Sequence, residues 1–431
     1  MLKNSSLVDT LVLGGGIAGI SAGYHAQKVT DSVLVLEASE KPGGLTANFQ
    51  IDGFRFDNAI HMSFTKDKNV RDVFDKTPFY QHRPDAYCLE GSTWMKHPVQ
   101  NNLYPLPTEE KVALLESFIS RPTHKPKNYH EWLISQYGKK ISERYPVPYT
   151  YKYWGMAPDK LSLSWIGDRM RKAEFSEVLA GAIEQKDENH FYAGEMRYPK
   201  KGGYYEFIRN MAENTNIECN KRIVEIDPIN KFVKCSDDSI NSYNNLISSL
   251  PLPVICNLID TCPNNVKQAS RSLLWTSVDL ISIGFKKKNV PPYLWFYLYD
   301  SNNLAARGYS PSMKSKDNAP RGCSSLQFEI YNLSSKDNLD PNELKDNVVK
   351  NLMKMEICDE SDILFTHHKH LPYGNIVFDH GMESRRQVVL DYLTSVGIHS
   401  CGRFGEWAYF WSDDAFLSGK KSVENLLGDK K

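Results

Sequence analysis

The first apolar run, in "DTLVLGGGIAGISAGYHAQK" (9–28), stops at Gly14–Gly16 and then resumes. That pattern predicts a buried strand, a glycine turn and a helix. "SVLVLEASEKPGG" (32–44) supplies a second apolar strand ending in Glu37. After Val70 aromatic, Pro and Lys residues dominate, and residues 89–204 read as a mainly helical domain. One of its helices is signalled by Pro107-Thr108-Glu109-Glu110, with breaks expected at Pro146, Pro148 and Pro158. "RYPKKGGYYEFIRNMAEN" (197–214) returns to a glycine turn and a helix, and "NLISSLPLP" closes a set of short strands. Runs such as "LISIGFKK", "YLWFYLYD" and "SLQFEIYN" predict an antiparallel sheet over 263–389. The expected class is α/β, with a discontinuous nucleotide-binding domain (1–88, 205–262 and 390–431), a helical insert (89–204) and an antiparallel-sheet domain (263–389).

Composition narrows the function classes. Lys+Arg and Asp+Glu balance at 52 each over 431 residues, so no overall field recruits nucleic acid or an acidic membrane. No uninterrupted apolar stretch approaches the roughly 20 residues that span a bilayer. The eight cysteines are scattered without a C-x-x-C pair, which suits reduced thiols in a cytoplasmic enzyme and offers no metal site. The "HHKH" run at 367–370 has no acidic or thiol partner at ligand spacing and reads as a polar strand or loop.

Gly14-x-Gly16-x-x-Gly19, between strand and helix, fits a dinucleotide turn. Gly14 allows the tight turn, Gly16 the approach of a pyrophosphate, and Gly19 close helix–strand packing. Glu37 lies 18 residues beyond Gly19, where a carboxylate accepts ribose hydroxyls. NAD and FAD share this signature. The following "EASEKPGGLTANFQIDGFRFDNAIHMSF" resembles the extended flavoprotein pattern, which implies FAD. In that resemblance Gly43, Gly44 and Leu45 form a second turn at the cofactor, Gly53, Phe54 and Asp57 a hairpin, and His61 sits near the flavin ring.

Six further segments occur in order between residues 8 and 428: "PVQNNLYPLP", "KPKNYHEWL", "YKYWGMAPDKLSLSWIGDR", "YPKKGG", "WFYLYDSNNLAAR" followed by "YSP", and "GRFGEWAYFWSDDAFLSGKKSVENLL". Together they resemble the UDP-galactopyranose mutase family of eukaryotic type, within the FAD-dependent amine-oxidase superfamily. The resemblance implies a flavin-dependent isomerase that interconverts pyranose and furanose forms of a UDP-galactose-like nucleotide hexose. Reduced FAD acts as nucleophile on the anomeric carbon, with no net redox. It implies a nucleotide-sugar substrate, allows a reductant such as NAD(P)H and an oligomer, and links the product to cell-surface polysaccharide. Arg169 and Arg307 match the diphosphate arginines, and Tyr297, Tyr373 and Tyr409 match tyrosines that donate to the diphosphate. Trp154 matches a tryptophan near the sugar, and Phe64 and Gln100 match residues that hold the uracil.

The chain departs from the family pattern at four positions. Ala59 and Ile60 replace glycines before His61, His97 replaces a tyrosine that stacks on the base, and Thr150 replaces an asparagine near the sugar. Two other readings therefore stay open: an FAD oxidase or desaturase of the amine-oxidase or protoporphyrinogen-oxidase-like type, and a non-catalytic flavoprotein. In "GRFGEWAYFWSDDAFLSGK" (402–420) a strand is expected to end at Gly402-Arg403, placing Arg403 at the FAD. The helix that follows is expected to aim its N-terminus at the flavin side, with Asp413 and Asp414 capping it or meeting the ribityl hydroxyls of the FAD.

Overall fold

The two apolar runs at the N-terminus lie side by side as parallel strands, Ser5–Leu13 and Val33–Leu36, in register from Thr10↔Val33 to Leu13↔Leu36. Every residue of Val33–Leu36 is buried, as continuous apolar strands are when both faces of a parallel sheet are covered. The structure is a computed structural model and describes residues 5–167, 170, 172–185, 194–336 and 339–428. The first sheet runs Ile223–Asp227, Phe232–Cys235, Ile240–Ser248, Ser5–Leu13, Val33–Leu36, Ile217–Glu218. Ile398–Ser400 adds a seventh strand, parallel to Ile240–Ser248. Residues from the start, middle and end of the chain thus share one sheet.

Against this sheet lies the helix Ile17–Ala26, and against that helix lies Ser412–Leu427. The two approach so closely that a Cβ on Gly419 would stand 2.1 Å from the Ala18 carbonyl oxygen. Ser21 donates its hydroxyl to the Phe416 carbonyl at 2.7 Å. The C-terminal segment is therefore an integral layer of the half built on the first sheet.

The second sheet also has seven strands, in the order Ile363–Ile376, Trp275–Phe285, Ser324–Leu333, Arg307–Tyr309, Trp295–Leu298, Ala86–Glu90, Thr93–Lys96. Its five strands from 275–376 are antiparallel to their neighbours, while Trp295–Leu298 pairs parallel with Ala86–Glu90. The sheet thus takes in a hairpin from 86–96, overlapping the start of the stretch read as helical. Beyond it come the helices Thr108–Ile119, Tyr129–Tyr137, Lys139–Arg144, Pro146–Trp154 and Phe175–Ile183. Pro146 and Pro148 start the fourth of these instead of merely breaking the chain. Both lie in its first turn, where a missing N–H costs nothing. Pro158 opens a short 3₁₀ turn, Pro158–Lys160.

A fully buried ion pair ties the two halves together. Asp57, at the end of the strand Phe54–Asp57, accepts from Lys314 Nζ at 2.8 Å, and both side chains are 0% exposed. The same carboxylate accepts from the Tyr198 hydroxyl at 2.7 Å and the Tyr204 N–H at 3.0 Å. Lys314 also lies 4.6 Å and 4.7 Å from the ring centres of Tyr198 and Tyr309. Removing one partner leaves an uncompensated buried charge. Lys314→Met is expected to lower the unfolding free energy in urea by about 3–5 kcal/mol, and adding Asp57→Asn should recover part of that loss.

Candidate active site

The glycine turn is locked from behind. Gly14 N–H donates to the Leu36 carbonyl at 2.8 Å, and Ser249 Oγ donates to the carbonyls of Leu13 and Gly14 at 2.9 and 3.2 Å. A Cβ at Gly19 would stand 1.8 Å from the Gly14 oxygen, so only glycine lets the helix start so close to the strand end. Gly16 is different: a Cβ there would meet nothing within 4 Å, because its backbone faces open space. The helix that follows has no side-chain cap, leaving its first N–H groups and its positive end to that space. The second turn docks on the first. Gly43 N–H donates to the Gly15 carbonyl at 2.7 Å, and Gly43 holds φ 125°, which a side chain rarely tolerates. Glu37 accepts from the N–H of Gly15 at 2.7 Å and of Ser39 at 2.8 Å.

These turns form one end of a cavity of about 730 Å³ lying between the two halves. Gly14, Gly16, Glu37, Gly43, Gly44 and Leu45 line that end, and His61 and Phe64 follow. Tyr297, Arg307, Tyr373, Arg403 and Tyr409 complete the set of sequence-selected residues around it. The lining charges among the described residues are Arg307, Arg403 and Lys369 against Glu37.

The opposite wall is built on adjacent strands. Arg307 pairs in register with Glu329, whose side chain is 0% exposed, and its Nε donates to Glu329 Oε2. Tyr331, on the same face two residues on, donates its hydroxyl to Glu329 Oε2 at 2.6 Å and accepts from Arg307 Nη2 at 3.0 Å. Burial works against the Arg307 charge, but Glu329 together with the surrounding Tyr331, Tyr153 and Tyr149 outweighs it and holds the guanidinium above its ordinary value. Burial likewise raises Tyr297, Tyr331 and Tyr373 above the ordinary phenol value, so all three remain hydroxyl donors at neutral pH. Tyr409 shares a hydrogen bond of 3.2 Å with the Tyr153 hydroxyl. Arg403 donates to the Phe410 carbonyl and to Asn375 Oδ1, both at 2.8 Å.

Residues 12–77 match the NAD(P)-binding Rossmann-like domain. Over 286 residues the chain is 22% identical to the mitochondrial protoporphyrinogen oxidase of Nicotiana tabacum, covering 58% of this chain and 55% of that protein. The chain therefore spans about half the length of that relative. The solved structure of a reduced UDP-galactopyranose mutase matches with a TM-score of 0.91 at 22% identity, covering 98% of this chain and 96% of that one. A putrescine oxidase bound to putrescine reaches 0.66 at 14% identity, covering 99% and 100%. At such identities the likeness is one of fold. The chain has the α/β, Rossmann-containing fold of FAD-dependent oxidoreductases and mutases.

Other sequence-selected residues fall outside the lining of this cavity. Trp154 is buried among Trp165, Tyr409 and Phe378, and its neighbour Tyr153 lines the cavity in its stead. Thr150 donates to the Pro146 carbonyl of its own helix at 2.6 Å. His97 lies behind Tyr297, ring centres 4.6 Å apart, and Gln100 sits in the short turn Val99–Asn101. Asp413 stands in the first turn of Ser412–Leu427, whose cavity-facing residues are Ser412 and Ala415, and Asp414 accepts from the Trp411 N–H at 2.9 Å. Arg403 sits not at a strand end but in the short helix Gly402–Gly405 that follows Ile398–Ser400. Arg169 lies outside the described residues.

Four lining or supporting residues escaped the sequence reading: Tyr153, Glu329, Tyr331 and Lys369. For Glu329 a signal existed, a carboxylate inside the apolar run "SLQFEIYN". The "HHKH" run does form part of a strand, Ile363–Ile376, where His368 and His370 both bond to Asp279 Oδ1, at 2.7 and 2.9 Å. Lys369 points the other way along the pleat, bonding to Asn58 Oδ1 at 2.8 Å and lining the cavity. No group of three or more His, Cys, Asp or Glu side chains among the described residues is placed to hold a metal ion.

The departures before His61 have structural consequences. Ala59 adopts φ 71°, in the left-handed region where a glycine is at ease, and Ile60 N–H donates to Glu329 Oε1 at 2.8 Å. Ala59→Gly is expected to raise the unfolding free energy by about 0.5–1 kcal/mol, the relief of strain exceeding the added chain entropy; urea titration measures it.

Burial pushes His25, His61 and His97 down to about 4, so each is neutral in the folded protein. Unfolded histidine takes up its proton near 6.5. Because the folded value is the lower one, this contribution to stability is complete above about 6.5 and lost as pH falls toward 4. The slope is about 1.4 kcal/mol per pH unit for each histidine. Urea titrations from pH 6.5 to 4 should show a decline shallower by that amount in His97→Gln.

Proposed function

We propose that the protein is a flavin-dependent nucleotide-sugar mutase, interconverting pyranose and furanose forms of a UDP-galactose-like nucleotide hexose with no net redox change. The observation that carries this reading is the wall of Arg307, Tyr297, Tyr331, Tyr153 and Tyr409 facing the glycine turns across one cavity. Such a wall donates hydrogen bonds and positive charge, as a diphosphate requires.

The residues present fit FAD. The uncapped helix start and the open face of Gly16 suit a pyrophosphate, and Glu37, whose oxygens retain acceptor capacity, suits the ribose hydroxyls. Gly43, Gly44, Leu45 and His61 would border the flavin, with Arg403 and the start of Ser412–Leu427 on the same side. The reduced cofactor, when bound, would supply the nucleophile for the anomeric carbon. Arg307, held charged by Glu329, takes the negative charge of the departing diphosphate, and Tyr297, Tyr373 and Tyr409 keep that group in place for its return. Arg169 acts as the second guanidinium. Phe64, edge-on to Trp411 at 4.8 Å, holds the uracil, and His97 backs Tyr297 from outside the cavity lining. Residues 1–88, 205–262 and 390–431 mainly serve the cofactor, with Phe64 and Tyr409 reaching the substrate, while 89–204 and 263–389 serve the sugar nucleotide.

An amine substrate suits this cavity less well, since three lining cations oppose a protonated amine. The test is incubation of the purified yellow protein with UDP-hexoses and dithionite, read by chromatography. Exchange between pyranose and furanose is expected only with reductant, and Arg307→Ala should slow it by about 10²–10³-fold. Absence of exchange with every nucleotide hexose tried, or hydrogen peroxide formed from an amine, overturns the reading.

A further inference from the structure

Lys152 is a partly buried amine that neither the cofactor nor the substrate reading uses. It sits on the helix Pro146–Trp154 and makes no ion pair among the described residues, the Asp300 carboxylate acting on it only through space. Its Nζ instead donates to three main-chain carbonyls, those of Leu298 at 3.0 Å, Asp300 at 2.6 Å and Ala305 at 3.3 Å. An ammonium has three N–H donors, so the set is complete. The acceptors flank both sides of the loop that joins Trp295–Leu298 to Arg307–Tyr309. One strand carries Tyr297 and the other begins at Arg307, and Leu298 N–H closes their base on the Ala306 carbonyl at 3.0 Å. The same helix carries Tyr153, whose ring lies 5.6 Å from the Arg307 guanidinium, and Tyr149, edge-on to Tyr297 at 5.5 Å.

Burying an ammonium is costly, and an apolar side chain would fill the same space without that cost. What an apolar side chain cannot do is hold three carbonyls of one loop at fixed positions relative to a helix. We infer that Lys152 is a positioning residue: its ammonium laces the Leu298–Ala305 loop to the helix bearing Tyr153, and so sets Tyr297, Arg307 and Tyr153 for an anionic ligand. The inference rests on the reading of that wall as a diphosphate clamp.

The test is a double-mutant cycle on the holoenzyme with UDP as probe, read by calorimetry, alongside hydrogen exchange over 295–309. Lys152→Met is expected to weaken UDP binding about tenfold in the wild-type background and less than about twofold in Arg307→Met, because coupled residues are non-additive. Flavin content should be unchanged, and exchange should rise in 298–307 but not in 14–19. Equal losses in both backgrounds, or unchanged UDP affinity, overturn the inference. Lys152→Gln, which keeps two donors, replaces Lys152→Met in the same cycle if the latter does not fold. Should the wild type bind no UDP, the nucleotide-sugar reading falls. Exchange then decides the role of Lys152 alone: acceleration confined to 298–307 sustains it, and unchanged or global exchange ends it.

Discussion

Glu329 is the carboxylate on which the two ends of the cavity depend. One of its oxygens takes the Arg307 and Tyr331 donors of the second sheet, and the other takes the N–H of Ile60 from the loop after the first hairpin. A fully buried carboxylate must have such partners, since neither charge nor lone pairs can be left without compensation. The same requirement fixes Arg307 in a charged, oriented state and holds the 58–61 loop against the opposite wall. Asp57 and Lys314 repeat this arrangement one layer deeper. The boundary between the two halves is thus set by a few desolvated charges, each with a specified partner, within a largely apolar interior.

The glycine turns follow the opposite logic. Their geometry is dictated by the absence of side chains: Gly19 by the proximity of the Gly14 oxygen, Gly43 by its dihedral angle. This difference explains what the sequence disclosed. Local constraints were legible, and so the strand, turn, helix and acid between residues 9 and 37 appear where the pattern placed them. Near the C-terminus, by contrast, the strand ends at Ser400 and a short helix, Gly402–Gly405, takes the place expected for its end.

Long-range partnership was not legible. Nothing in "SLQFEIYN" says that its glutamate lies opposite Arg307, because register between strands is decided by the whole sheet. The hairpin at 86–96 joins the second sheet through a parallel pairing that no local signal announces. Tyr153 and Trp154 are adjacent tyrosine and tryptophan in an aromatic helix, and only packing decides which lines the cavity and which is buried. Pro146 looked like a stop because proline is a stop in the interior of a helix; at the first position it is a start.

The close contact between Ile17–Ala26 and Ser412–Leu427 bears on the order in which the molecule is made. Chain synthesis proceeds from the N-terminus, and domains generally fold as they emerge. Here the glycine turns come out well before the strand Ile398–Ser400 and the helix covering Ala18. Contacts so distant along the chain form slowly because the intervening loop must close first. The nascent protein therefore carries a half-built, apolar-edged cavity until those segments emerge, and this is an interval in which it is exposed to aggregation.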